Sequence, residues 1–324
     1  MTLSKPVAQA DLHRWFQAPS SELGALFKRA HQVTERHFDR SIHIYIPGDR
    51  FPAISVTGTS CELNCQHCKG QFLKQMHAIT RPPHLLSFAK TLAAHGGIGC
   101  LISGGCDAQG QVPLLPFLPT LAEIKKTTRL FLNVHTGLLS ADSAQQLAET
   151  GIDCTSVDVV GNDDTIHQIY GLPNRSTVDY ANTLAALTRA RIPTAPHVCV
   201  GLHFGRLAGE LSALELIGST MNPGILVIIA LMSGPNASTP HLTSPAGHDI
   251  ARVCALARIM FPECEIALGC MRPRGSARRE MERLAIAAGI TRLVLPTQAT
   301  IDYLREQRYT VTVDKSCCVV PAVK

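Results

Sequence analysis

Eight short apolar runs alternate with amphipathic stretches along this chain, and that rhythm restricts the fold more than any other feature. The runs are Pro52–Thr57, Gly99–Ser103, Leu130–Val134, Cys154–Val159, Ala195–Val200, Leu226–Leu231, Glu265–Leu268 and Arg292–Leu295. Most are short and rich in Val, Ile and Leu, as strands buried on both faces of a parallel sheet are. Between them, apolar residues recur at helical spacing over 84–95, 114–126, 139–149, 176–190, 207–219, 244–260 and 276–288. Strand–helix alternation implies a parallel sheet, and eight units in about 250 residues imply a closed (β/α)8 barrel. An open doubly wound sheet is the alternative, but no Gly-x-Gly-x-x-Gly follows the first run.

The expected architecture is therefore α/β, a single TIM-type barrel over 51–306. Residues 1–50 form an N-terminal helical extension, with Leu12, Trp15, Phe16, Leu23, Leu26, Phe27 and Phe38 as apolar positions and Pro19 as a break. Residues 307–324 form a C-terminal tail, a short strand and then a coil bearing Cys317 and Cys318, expected over the barrel mouth.

With 45% hydrophobic and 17% charged residues, the chain can fill a large core. Its longest apolar run, Ile225–Met232, is too short to cross a bilayer. The first residues lack the apolar core of a secretory signal, so no membrane partner is expected. Twelve cysteines then belong in a reducing compartment, the cytoplasm, as metal ligands or core residues. A net charge of +5 without a dense Lys/Arg stripe gives no sign of nucleic-acid binding, and fits an acidic protein partner.

The chemistry concentrates in Cys61-Glu-Leu-Asn-Cys65-Gln-His67-Cys68, a C-x3-C-x2-C spacing. A four-iron cluster held by three thiolates keeps one iron open for a ligand, which suits chemistry rather than electron storage. The same spacing also fits one face of a helix, which would make these core cysteines. Gly58-Thr-Ser60 before and Lys69-Gly70 after are loop signals, however. A structural zinc site would need a second C-x2-C, and none follows.

In a barrel the site is built where strands end. Those ends read Ser103-Gly104-Gly105-Cys106-Asp107, Asn133-Val-His135-Thr-Gly137, Ser156-Val-Asp158, Pro196-His197-Val-Cys199 and Leu268-Gly-Cys270-Met-Arg272. Asp158 is a candidate to bind a hydroxyl or ammonium group, or else a strand-end acid that caps the next helix. Cys106, Cys199 and Cys270 are each ordinary packing if taken alone. Together at one mouth, with Cys317 or Cys318 folded over it, they form a candidate ligand set for a second cluster, Arg272 being a further ligand or neighbour. Cys100, Cys154, Cys254 and Cys264 read as packing.

The cysteine motif resembles the signature of radical S-adenosylmethionine (SAM) enzymes. That resemblance implies a [4Fe-4S] cluster on Cys61, Cys65 and Cys68, with SAM on its fourth iron and a 5′-deoxyadenosyl radical that abstracts hydrogen from an unactivated C–H. His67 takes the slot near the adenine where the superfamily usually carries an aromatic residue. Gly104-Gly105 resembles the backbone element that binds the methionyl amine, with Cys106 and Asp107 where an acid usually follows. Ser103, His135 and Asp158 complete the implied cofactor site.

Extra thiolates on the strands look like biotin synthase, whose second cluster donates sulfur. From about residue 45 onward, Ser55-Val-Thr-Gly-Thr-Ser-Cys61, Leu101-Ile-Ser-Gly-Gly-Cys106, Asn133–Gly137, Ser156–Gly161, Pro196–Cys199 and Leu268–Gly275 are similar to the biotin-synthase-like proteins of the split, two-component lipoyl synthase. This implies sulfur insertion into an octanoyl chain on a lipoyl-carrier protein, with Cys106, Cys199, Cys270 and Arg272 at the chemistry. It further implies an auxiliary Fe–S cluster as sulfur donor, a companion radical SAM component and an electron donor such as ferredoxin or flavodoxin. The alternatives are another biotin-synthase-like synthase or mutase on a free small molecule, and a non-catalytic Fe–S or zinc protein.

Overall fold

A computed structural model describes residues 8–232 and 242–322. The N-terminal segment read above for a signal, residues 1–7, and the last two tail residues lie outside the described residues. Eleven strands occur in chain order: β1 (Ser41–Tyr45), β2 (Ala53–Ser55), β3 (His77–Ala78), β4 (Gly99–Ser103), β5 (Phe131–His135), β6 (Cys154–Asp158), β7 (Thr194–Val200), β8 (Ile225–Ala230), β9 (Glu265–Leu268), β10 (Arg292–Val294) and β11 (Thr310–Asp314). They form one sheet in the order β11-β1-β10-β9-β8-β7-β6-β5-β4-β2-β3. Every pairing is parallel.

β2 and β4 to β10 are the eight expected strands, in barrel order. The sheet is strongly curled: Tyr45 of β1 shares an inner apolar cluster with Cys154 of β6, Ala195, Val227, Ala267 and Val294. Strands so far apart in the order could not meet across a flat sheet. Among the described residues the arc is not hydrogen-bonded shut between β2 and β10, because β1 occupies the edge of β10 and β11 lies outside β1. The fold is a TIM-type barrel left open at this seam.

Alternation along the strands sorts the side chains. Val198, Val200, Leu226, Ile228, Ile266 and Leu268 join the helices in the outer core, while Ala195, Val227 and Ala267 point inward. The seven expected helices are present as Pro82–Ala94, Leu118–Thr127, Ala141–Glu149, Thr177–Arg189, Glu210–Thr220, Gly247–Met260 and Arg278–Ala287, and an eighth, Gln298–Glu306, follows β10. Their starts carry the expected chemistry. Ser140 accepts from the Ser143 amide, and Ser176 with Asp179 forms a capping box.

The first fifty residues do more than the helical reading foresaw. Helices Gln9–Gln17 and Gly24–Phe38 flank the Pro19 break, and Leu26 and Ala30 pack with Ile250 and Val253 of the Gly247–Met260 helix. β1 then enters the sheet beside β10, in register from His43↔Arg292 to Tyr45↔Val294.

The tail follows β11 along β1 to the mouth end and then goes further than expected, turning down inside the barrel. Cys318 and Val319 are buried in the inner cluster, with Cys317 packed against it. Arg292, itself fully buried, donates from NH1 to the carbonyls of Cys318 and Val320, while its Nε is paired with Glu265. The Tyr45 hydroxyl also donates to the Val320 carbonyl.

Candidate active site

The cysteine loop follows β2 and is tied to the end of β4. Thr57 Oγ1 accepts from the Gly105 amide at 2.7 Å and donates to the Ser60 carbonyl at 2.8 Å. The Glu62 amide donates to the Cys106 carbonyl at 2.8 Å, and Glu62 accepts from the Ala108 amide at 2.9 Å. Gly105 has no room for a side chain: a Cβ there would sit 2.1 Å from the Ser60 carbonyl oxygen and 2.5 Å from the Cys61 Cβ. The glycine pair thus lets the cysteine loop close onto the strand end.

The far side of the loop rests on residues 166–170, a turn of π-helix of the kind that often marks functional sites. The Gln66 amide donates to the Ile169 carbonyl at 2.8 Å, the Cys65 thiol lies 3.7 Å from the Tyr170 carbonyl, and the Tyr170 ring meets His67 edge-on at 5.1 Å.

Together these elements enclose a cavity of about 230 Å³ at the carboxyl ends of the strands. Its walls include Cys61, Cys65 and Cys68 with each residue expected at the cofactor site: His67, Ser103, Gly104, Gly105, His135 and Asp158. Leu63, Leu73, Met76, Leu138 and Leu172 make the rest largely apolar. Tyr170 and Tyr180 also line it. They lie between strands, where the alternation that located the other positions gives no signal.

The electrostatics are those of a buried, partly charged pocket. A hydrogen bond from the Cys65 thiol holds Cys68 down to about 7, against the effect of burial, and the same bond with burial pushes Cys65 up. Burial pushes Cys106 up to about 12. Asp158 faces the cavity rather than bulk water. Burial raises its pKa, yet the hydrogen bond and charge of His135 outweigh that and hold it at about 2. His135 is raised, its bond to Asp158 overcoming burial. Burial lowers His67 to about 4 and lowers His197, whose Nδ1 lies 2.9 Å from the Ala195 carbonyl.

The five thiols expected around a second cluster are not all brought together. Cys106 lines the cavity of the triad, where its carbonyl lies 3.7 Å from the Cys61 sulfur. Cys199 lies in the cluster that also contains Tyr170 and Leu231. Cys270, Cys317 and Cys318 are mutual neighbours: burial and the Cys317 thiol are the two largest causes of the raised Cys270 pKa, and Cys270 in turn raises Cys318. Cys270 itself is solvent-exposed. Cys154, read as packing, belongs to the apolar cluster that holds Cys318.

Arg272 is a neighbour of Cys270, but its guanidinium is engaged elsewhere. NH2 donates to Glu282 at 2.7 Å and NH1 to the Gly269 carbonyl at 2.6 Å. Two such bonds on a fully buried side chain hold those two nitrogens away from the barrel interior.

Among the described residues, no three His, Cys, Asp or Glu side chains converge on one metal ion. A cubane does not need that, because each cysteine binds a different iron. Three thiols on one loop, walling an enclosed apolar cavity with a thiolate-favouring Cys68, fit such a cluster.

A parallel barrel with a three-thiol loop at the carboxyl ends of its strands defines a class, and the relatives agree with it. No family profile matches the chain. It is similar to the biotin synthase of Azoarcus sp. (strain BH72), 26% identical over 310 residues that cover 89% of each chain. The Aromatoleum aromaticum biotin synthase is 25% identical over 281 residues, 85% of this chain and 81% of that one. A biotin synthase of Synechococcus elongatus is 32% identical over 165 residues, 48% of each. Methylornithine synthase (PylB) shares the fold, with a TM-score of 0.67, 13% identity and 95% of both chains covered. So does the FeFe-hydrogenase maturase HydG from Carboxydothermus hydrogenoformans, with a TM-score of 0.68, 15% identity, and 94% of this chain and 76% of that one covered.

The chain is similar to biotin synthases over most of its length, and these relatives support the radical SAM superfamily. Such homologues imply a [4Fe-4S] cluster and SAM, for which Cys61, Cys65 and Cys68 and the cavity beside them are the matching site. Among the described residues, no helix is long and apolar enough to cross a membrane.

Proposed function

We propose that this protein is a radical SAM sulfur-insertion enzyme, one component of a two-protein lipoyl synthase that thiolates an octanoyl chain on a lipoyl-carrier protein. The observation that carries the reading is the group Cys270, Cys317 and Cys318 inside the barrel, separate from the triad. Thiols beyond those of the first cluster supply ligands for an auxiliary Fe–S cluster, with Cys199 on the same inner wall. β7 and β9, which carry Cys199 and lead to Cys270, are both neighbours of β8. Cys106, in contrast, serves the triad's cavity. When bound, the first cluster with SAM supplies a hydrogen-abstracting radical, and the second supplies sulfur.

The chain's own residues do the rest. The apolar wall of Leu63, Leu73, Met76, Leu138 and Leu172 excludes water from the reacting region, and the His135–Asp158 pair fixes polar groups of the cofactor. A companion radical SAM protein adds the other sulfur, and a low-potential carrier such as ferredoxin or flavodoxin supplies the electron.

Iron and labile sulfide per chain after anaerobic reconstitution test this. About eight irons, falling to about four in a Cys61→Ala/Cys65→Ala/Cys68→Ala variant, are expected for two [4Fe-4S] clusters. About four irons falling to near zero would remove the sulfur source and with it the lipoyl reading.

The similarity to biotin synthases over 89% of the chain favours a second reading, a radical SAM synthase acting on a free small molecule. Incubation with octanoylated carrier protein separates the two, since only the first reading predicts a gain of sulfur mass on the carrier.

A further inference from the structure

The mouth cavity is walled by four thiols, not three. Cys106 lines it together with Cys61, Cys65 and Cys68, and among the described residues no other cysteine does. The four also pack in one apolar cluster with Leu63, Leu138 and Ile169, which Cys199 meets as well. Their charges reach one another: Cys61 and Cys68 act on Cys106, and all three act on Cys65.

The Cys106 backbone is fixed beside the loop from both sides. Its carbonyl accepts from the Glu62 amide at 2.8 Å and lies 3.7 Å from the Cys61 sulfur. Gly105, just before it, leaves no room for a side chain between itself and Ser60 or Cys61. Asp107, just after it, accepts at Oδ1 from the amides of Gln109 and Gln111, both at 2.9 Å. Cys106 itself is half-buried, with its side chain on the cavity wall.

Packing is the ordinary role of such a thiol taken alone. The number of thiols around this cavity argues for more. A [4Fe-4S] cluster in full coordination takes four cysteine thiolates, one on each iron. Three thiols on the loop leave one iron open, and the fourth thiol of the cavity belongs to the strand end against which that loop closes.

We propose that Cys106 is a fourth, exchangeable ligand of the first cluster, its thiolate holding the open iron while SAM is absent and yielding it when SAM binds. On exchange the bond from iron to the Cys106 sulfur breaks and bonds from SAM replace it. The freed thiolate takes a proton from solvent, and no iron changes oxidation state. The device shields the open iron between turnovers at a cost in SAM affinity. It needs the first cluster alone and is independent of the second cluster and of the lipoyl reading.

Iron loss from the reconstituted full chain to a bathophenanthroline chelator, followed with and without SAM, tests the exchange. Without SAM, Cys106→Ala is expected to lose the iron of the first cluster several-fold faster than wild type. With saturating SAM the two should lose it at the same rate, because SAM then holds the open iron in both. Iron of a second cluster does not respond to SAM and is read as a separate phase. Equilibrium binding of SAM to the oxidised protein is the second readout. Cys106→Ala is expected to bind SAM about tenfold more tightly, since no ligand has to leave the iron first. Cys106→Ser keeps the size of the side chain with a poorer ligand and should fall between the two. Faster iron loss in Cys106→Ala with and without SAM alike would make Cys106 a support of the loop and overturn the exchange. Wild-type iron loss together with wild-type SAM affinity in that variant would overturn it too. About four irons per chain in the wild type would remove the sulfur-insertion reading and leave this pattern as it is.

Discussion

His135 Nε2 lies 3.5 Å from Asp158 Oδ2 across the adjacent strands β5 and β6, at the mouth of the barrel. The side chains are only 27% and 33% accessible, and what they face is the cavity. Burial lowers the pKa of the imidazole, and the hydrogen bond and charge of Asp158 outweigh it and raise that pKa. A raised His135 contributes stability that is fully present below the ordinary histidine pKa of about 6.5 and lost as pH rises through the folded value. Asp158, held at about 2, contributes stability that is present above the ordinary aspartate value and lost as pH falls through about 2. Both contributions are complete only between about pH 4 and about pH 6.5.

Asp158→Asn should therefore invert the direction of the His135 shift. With its partner gone, burial remains as the dominant influence, and the imidazole should titrate below the ordinary value of about 6.5. Histidine ring resonances followed by NMR against pH would read this directly. A His135 that still titrates high in the variant would show that another group holds its charge.

Gly105→Ala should damage the cysteine loop specifically. The new methyl meets backbone, the Ser60 carbonyl and Cys61, and not the yielding tip of a side chain. The loop must move, at an expected cost on the order of 1–3 kcal/mol, typical of overpacking. Denaturant unfolding measures the cost, and iron bound by the variant should drop because Cys61 is displaced. Normal iron with normal stability would mean that the glycine is not needed for space.

Much of this site was legible in the sequence, for a definite reason. Strand ends in a parallel barrel share one face, so Ser103, Gly104, Gly105, His135 and Asp158 converge once the apolar runs are placed. What periodicity cannot show is where charges go to ground. Arg258, Arg272 and Arg292 are among the largest fully buried side chains, and their partners lie far along the chain or on backbone carbonyls. Arg272 thus looked available as a ligand until Glu282, ten residues on, was placed against it. β1 escaped notice because Ser-Ile-His-Ile-Tyr follows a strong helical pattern directly and is only five residues long. The path of the tail escaped because β11 predicts a strand but not the turn inward beyond it.

The Glu282 carboxylate is fully buried and collects Arg272 at 2.7 Å, Arg278 at 2.9 Å, and the hydroxyls of Thr297 and Thr300. Removing one partner of such a group strands the others without water. Glu282→Ala is expected to cost about 3–5 kcal/mol in denaturant unfolding, since Arg272 becomes an uncompensated buried charge. A cost under about 1 kcal/mol would mean that water enters to solvate Arg272 and that the region is looser than its packing indicates.

Arg292 should act on the tail rather than on the barrel alone. Its NH1 group holds two tail carbonyls and its Nε pairs with Glu265, while the guanidinium lies 5.2 Å over the Tyr45 ring. Arg292→Met keeps the length and apolar stem but removes every donor. The tail would then keep only the 3.4 Å bond from Tyr45 and the apolar contacts of Cys318 and Val319. Amide exchange in residues 316–322 should quicken by about tenfold or more, consistent with losing one or two buried hydrogen bonds to a charged group. Exchange in β5 and β6, on the far side of the barrel, should stay slow. Because Glu265 is 28% exposed, its loss of a partner adds less than a fully buried carboxylate would. If tail and barrel amides quicken together, Arg292 supports the whole sheet and the tail has no latch of its own.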